Sequence, residues 1–142
     1  MKVTALLCDS AQVAPDGKLY ILGGGWAISW APDQPLKMSL AILVAVPWNR
    51  ANQRLNLEIN LLTGDNEPVF SASGDEQPVR AEGELEMGRP PGTRSGSDLN
   101  ACIAVPFDGL VLPASDYVWT IQINNEEEAR IPFRVDNPPM TG

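Results

Sequence analysis

The chain is 142 residues long, 44% hydrophobic and 20% charged, which fits one domain with its own core and not a disordered polymer. Ten Lys and Arg stand against eighteen Asp and Glu, giving a net charge of −8, and histidine is absent. The first fact argues against nucleic acid or an anionic membrane as partner, because phosphate binding draws on clustered cations; the second removes every mechanism and metal site that needs an imidazole.

Taken in chain order, Lys2 followed by Val3–Leu7 and Cys8 has the look of a lipoprotein signal. Only five residues separate Lys2 from Cys8, against about 7–15 apolar residues in a secretory core. The longest apolar run, Leu40–Val46, is seven residues, far below the roughly 20 that span a bilayer. The expectation is a cytoplasmic chain with neither signal nor membrane span. Val3–Leu7 reads as a short first strand at a sheet edge. Pro15-Asp16-Gly17 supplies the turn after it.

Gly23-Gly24-Gly25 invites comparison with a phosphate loop, but no Lys follows and Trp26–Trp30 has the pattern of a strand. The better expectation is a bulge, a bend from one sheet to another, or a close backbone approach. Leu40–Val46, apolar at every position, predicts a central strand covered on both sides. Asn49–Gln53 has room for one helical turn. Leu55, Leu57, Ile59 and Leu61 alternate with polar residues, as do Val79–Met87, Tyr117–Asn124 and Arg130–Val135. That period of two marks strands with one buried face. Thr63-Gly64-Asp65-Asn66 and Asn124-Asn125-Glu126 are turns, and Pro132 points to an edge or a bulge in the last strand. The expected fold is all-β, a single-domain antiparallel β-sandwich of about 8–10 short strands, Ig-like or C2-like, with a closed barrel as the alternative. The domain runs over residues 1–142, with 88–97 (GRPPGTRSGS) as a mobile surface loop.

The segments LLCDSAQV, GKLYILGGGW, VPWNRANQRLNLEINLLTGDNEPV and GRPPG resemble a family of small bacterial proteins of unknown function, common in actinobacteria. Gly17–Trp26 is the most specific part. The resemblance covers nearly the whole chain and implies an all-β sandwich in a lone-domain cytosolic protein. It brings no catalytic or binding residues with it.

The residues themselves offer few chemical constellations. Cys8 and Cys102, ninety-four positions apart, read as small buried hydrophobes, or as a disulfide between neighbouring strands. No basic neighbour activates either thiol. Glu82, Glu84 and Glu86 share one strand face at roughly 7 Å intervals, within the separation used by glycosidases, yet they lie opposite the core and read as a solvated face. Glu126-Glu127-Glu128 with Asp9, Asp116 or Asp136 lacks the Asp/Asn loop spacing of a calcium site. Neither metal nor cofactor is expected.

Trp26, Trp30 and Trp48 sit beside Gly or Pro, so they either plug the sandwich ends or project as interaction surfaces. Arg89 and Arg94 form the one basic cluster in a loop, either solvated or gripping an acidic partner such as another copy. The function expected is a non-enzymatic protein-interaction or structural module, self-associating into a homo-oligomer. The alternative is a small-ligand or carbohydrate-binding sandwich in which the three tryptophans stack on sugar rings while Asn49, Asn52 and Asp33 bond hydroxyls. No nucleophile elbow, Ser-x-x-Lys pair or nucleotide loop supports an enzyme.

Overall fold

The computed structural model describes residues 1–71 and 77–139. Among these described residues nine strands follow one another: β1 (Lys2–Val13), β2 (Leu19–Gly24), β3 (Ile28–Ser29), β4 (Pro35–Val46), β5 (Arg54–Thr63), β6 (Arg80–Glu86), β7 (Leu99–Val111), β8 (Ser115–Ile123) and β9 (Glu126–Val135). A single 3₁₀ turn, Trp48–Arg50, joins β4 to β5 where one helical turn was expected. The strands form a four-stranded sheet in the order β2-β1-β4-β7 and a five-stranded sheet in the order β3-β9-β8-β5-β6. The architecture is a two-sheet β-sandwich, not a closed barrel.

The alternating segments behave as their period requires. Leu55, Leu57, Ile59 and Leu61 of β5 all enter the core, which they share with Met38, Leu40, Ile42, Val44 and Val46 of β4. Trp119 of β8 is wholly buried, with its ring centroid 4.3 Å from that of Phe107 and 6.4 Å from that of Phe133. Tyr117, near the start of β8, donates its hydroxyl to the Pro113 carbonyl at 2.6 Å. Such a bond back across the corner pins the chain as it passes from one sheet to the other, as in immunoglobulin-like sandwiches.

Three expectations need correction. The first strand is neither short nor an edge: β1 is twelve residues long and lies between β2 and β4. The polar residues Asp9, Ser10 and Gln12 lie beyond the expected Val3–Leu7, but pairing with β2 continues the ladder to Val13. The strand expected over Trp26–Trp30 is only Ile28–Ser29. That short strand pairs with β9 in parallel, so the fold is not antiparallel throughout.

The triple glycine is the expected bend between sheets. It ends β2 in the first sheet and delivers the chain to β3 in the second, with Gly23 and Gly25 at φ of 62° and 87°. A Cβ on Gly23 would meet the exposed Asp9 side chain, which would have to turn aside, and the positive φ is the main constraint at this position. Pro132, expected at an edge or a bulge, lies in β9, which has only the two-residue β3 beside it, paired at Arg134 and Val135. The Arg134 N–H donates to Ala27 on the outer side of β9, so the nitrogen of Pro132, two residues earlier, faces the same way and no ladder bond is lost.

β4 is central and covered on both faces. Its inner face meets the five-stranded sheet; on its outer face Ser39 and Ala41 are also buried. The reason is the β1–β2 hairpin. β2 and β7 stand at opposite ends of their sheet yet touch, so the hairpin folds back across β4.

Candidate functional site

The tryptophans are dispersed. Trp26 packs its ring edge-on to Phe133 at 6.1 Å against the core, so it plugs one end of the sandwich. Trp30 is half exposed. Trp48, on the 3₁₀ turn, lies beneath the Arg89 guanidinium, 4.1 Å from the ring centre, and Arg89 also donates to the Trp48 carbonyl at 2.7 Å. Two of the sequence-predicted residues are thus brought together, and they satisfy each other. Arg94 stands exposed on the same loop, whose turns close through Thr93 to Pro90 and Ser97 to Arg94.

The acidic constellations are solvated and partly paired. Glu82, Glu84 and Glu86 are exposed on the edge strand β6. Arg80 bridges Glu82 and Glu58, and Arg54 reaches Glu84 at 4.0 Å. Glu127 pairs with Arg130 at 2.9 Å, and Arg134 lies 3.0 Å from Asp116 and 3.4 Å from Asp136. Among the described residues no three acids or thiols gather as metal ligands.

Both cysteines are free. Cys8 faces Ser39 and Cys102 faces Leu43 across the intervening β4, so the two are not on neighbouring strands. The Cys8 thiol is buried and donates to the Ser39 carbonyl at 3.3 Å. Burial, reinforced by the adjacent Asp9 charge, raises its pKa above the ordinary 9.0, which keeps it an inert thiol. Burial, then the Asp33 charge, likewise raises Tyr117.

What the sequence did not single out is β2. The strand LYILGG is the outer edge of its sheet and has no charged residue. Leu22 is 72% exposed and Tyr20 51%, with Ile21 and Val13 of the same hairpin also exposed. The other long edges among the described residues are blunted: β6 by four charges and β7 by Pro106, Asp108 and the positive-φ Gly109, while the stretch of β9 that the two-residue β3 leaves uncovered carries Glu126–Glu128, Arg130 and Pro132. The Ala14 N–H donates to Lys18 O at the hairpin end. Alternation from that pair turns Tyr20 and Leu22 toward β1 and leaves the N–H and C=O groups of Leu19 and Ile21 pointing outward, with no strand beside them among the described residues. An apolar run such as Leu19–Leu22 ordinarily signals burial, which is why the sequence hid this surface.

A cleft of about 560 Å³ opens between β6 and β7, the facing edges of the two sheets, floored by Leu57 and Ile59. No helix among the described residues is long and apolar enough to cross a membrane.

No curated protein matches this sequence. A family model described as a family of unknown function, DUF6941, matches residues 3–136. That span takes in every strand of both sheets but the first residue of β1, in agreement with the resemblance seen in the sequence, and the chain belongs to this family of unknown function.

Proposed function

We propose that this chain is a non-enzymatic protein-interaction module that self-associates through the uncovered edge of β2. The observation that carries the reading is an uncharged, exposed edge strand, whereas the other long edge strands among the described residues, β6 and β7, carry charges or proline. Free main-chain donors and acceptors on such an edge are satisfied by adding a strand from a partner. The partner that suits it is a second copy. Each copy has a net charge of −8 and is repelled by its like over most of the surface, whereas β2 meets β2 without any acid in either strand. Antiparallel pairing of identical strands about a two-fold axis is self-complementary and closes at a dimer.

The non-enzymatic reading is supported by the state of the candidate groups: the acids are exposed and in several cases ion-paired, and the buried thiol is held protonated. The exclusion of nucleic acid and anionic lipid as partners belongs to the same proposal and rests on the acidic charge; the proposed cytoplasmic location accords with two free cysteines. A carbohydrate platform of three tryptophans is less well supported, since Trp26 is packed on Phe133 and Trp48 lies under Arg89, leaving Trp30 as the half-exposed one. Light scattering on the purified chain at micromolar concentration tests the proposal. The expected particle is a dimer that Leu22→Lys converts to monomer; a monomer at every concentration contradicts it.

A further inference from the structure

Self-association through β2, on which this inference rests, is compatible with several alignments of the two strands, and the residues of the strand select one. Only main-chain groups that point away from β1 can bond to a second copy. By alternation these belong to positions 17, 19, 21 and 23. The two outer positions are unsuited to a ladder. Gly17 has a φ of 84° and its N–H already donates to the Ala14 carbonyl, while Gly23 has a φ of 62° where the chain bends away toward β3. Leu19 and Ile21 are the extended residues with outward donors and acceptors.

A two-fold axis at Tyr20 sets Leu19 of each copy opposite Ile21 of the other, so all of these groups find partners. An axis one residue away, at Leu19 or at Ile21, pairs that residue with itself and leaves the other to Gly17 or Gly23. An axis at Lys18 or Leu22 routes every bond through a glycine.

The side chains suit the same axis. Lys18, Tyr20 and Leu22 lie on one face by alternation, with Tyr20 51% and Leu22 72% exposed. On the axis the two tyrosines form a pair that exchanges no main-chain bond, the kind in which Cα atoms approach to about 4.5 Å, and aromatic cross-strand pairs are favourable. Leu22 of each copy falls opposite Lys18 of the other. The aliphatic stem of Lys18 covers Leu22 there, while its ammonium, whose contact to Asp16 at 3.9 Å is exposed, stays in water. We infer that two copies join β2 to β2 in antiparallel fashion with Tyr20 on the two-fold axis, Leu19 opposite Ile21 and Leu22 opposite Lys18, so that one sheet continues through both molecules.

Cysteine crosslinking under mild oxidation reads the axis, on full chains carrying Leu19→Cys, Tyr20→Cys, Ile21→Cys or Leu22→Cys in turn. Only a residue paired with itself brings its Cα atoms within the roughly 4.4–6.8 Å that a disulfide spans. The wild-type chain, with its own Cys8 and Cys102, gives the background. Tyr20→Cys is expected to form covalent dimer at least about tenfold faster than the other three. Faster crosslinking at one of those three, in a chain that light scattering shows to be dimeric, overturns the register and leaves self-association standing. A dimer that crosslinks at none of the four overturns β2 as the interface, and a chain monomeric at every concentration overturns both. Charge supplies a second measurement. Leu22→Lys sets like charges against each other across the axis and gives monomer; adding Lys18→Glu to the same chain turns each of those contacts into an ion pair and is expected to restore the dimer. A doubly substituted chain that stays monomeric overturns the register.

Discussion

The guanidinium of Arg89 covers the Trp48 ring at 4.1 Å and donates a 2.7 Å hydrogen bond to the same residue's carbonyl oxygen. One side chain therefore fastens the loop between β6 and β7 to the 3₁₀ turn that leads into β5. A cation over an indole contributes about 0.5–1 kcal/mol at exposed sites, and a charged hydrogen bond adds a comparable amount.

Arg89→Ala is accordingly expected to lower stability by about 1–2 kcal/mol and to raise acrylamide quenching of tryptophan fluorescence as Trp48 is uncovered. Arg94→Ala, on the same loop with an exposed side chain, should stay within about 0.5 kcal/mol of wild type. Equal effects of the two substitutions in urea unfolding would show that the clasp contributes nothing.

Tyr117→Phe removes the 2.6 Å bond to Pro113 while keeping the ring stacked 5.6 Å from Phe133. The expected loss is about 1–1.5 kcal/mol, including the cost of a carbonyl left without its donor. Chemical denaturation measures it, and an unchanged midpoint would refute the role of this corner.

The same hydroxyl and the Cys8 thiol set the alkaline limit. Both pKa values are raised in the folded chain above their ordinary 10.0 and 9.0, because burial disfavours the charged form. An acid with a raised folded pKa contributes stability that is present in full below its unfolded value and is lost as pH rises through the folded one. Stability measured against pH should therefore hold up to the ordinary thiol value and decline above it, less steeply in Tyr117→Phe. Stability that grows above that pH contradicts the account. The thiols also differ at neutral pH: maleimide should label partly exposed Cys102 on the native chain and reach buried Cys8 only after denaturation.

Gly23→Ala should cost about 1–3 kcal/mol, mainly from the left-handed backbone, with a smaller part from turning the Asp9 side chain aside. Gly25→Ala has a positive φ but open space, so thermal unfolding should find it the milder of the two.

Much of this fold was legible because β5 and β9 bury one face and β6 half-buries one, and such a strand writes its period into the sequence; β8 keeps an alternating sequence although Tyr117–Ile121 are all buried. Leu40–Val46 was legible for the opposite reason, since a strand covered on both sides has no period to write. The first hairpin was not. β1 changes neighbours at Cys8, from β4 to β2, so its polar second half imitates a loop. β2 exposes apolar residues, and hydrophobicity alone reports them as core. The clasp of Arg89 on Trp48 spans forty-one positions and left no local pattern.

Amide hydrogen exchange of β2, followed as protein concentration is raised, tests self-association through this edge most directly. The N–H groups of Leu19 and Ile21 point away from β1, and pairing with a second copy should slow their exchange as dimer accumulates while leaving those of Tyr20 and Leu22 already protected. Ile21→Pro, which removes one outward donor without touching the β1 ladder, should abolish the concentration dependence. Exchange at Leu19 and Ile21 that stays fast and independent of concentration would contradict the account.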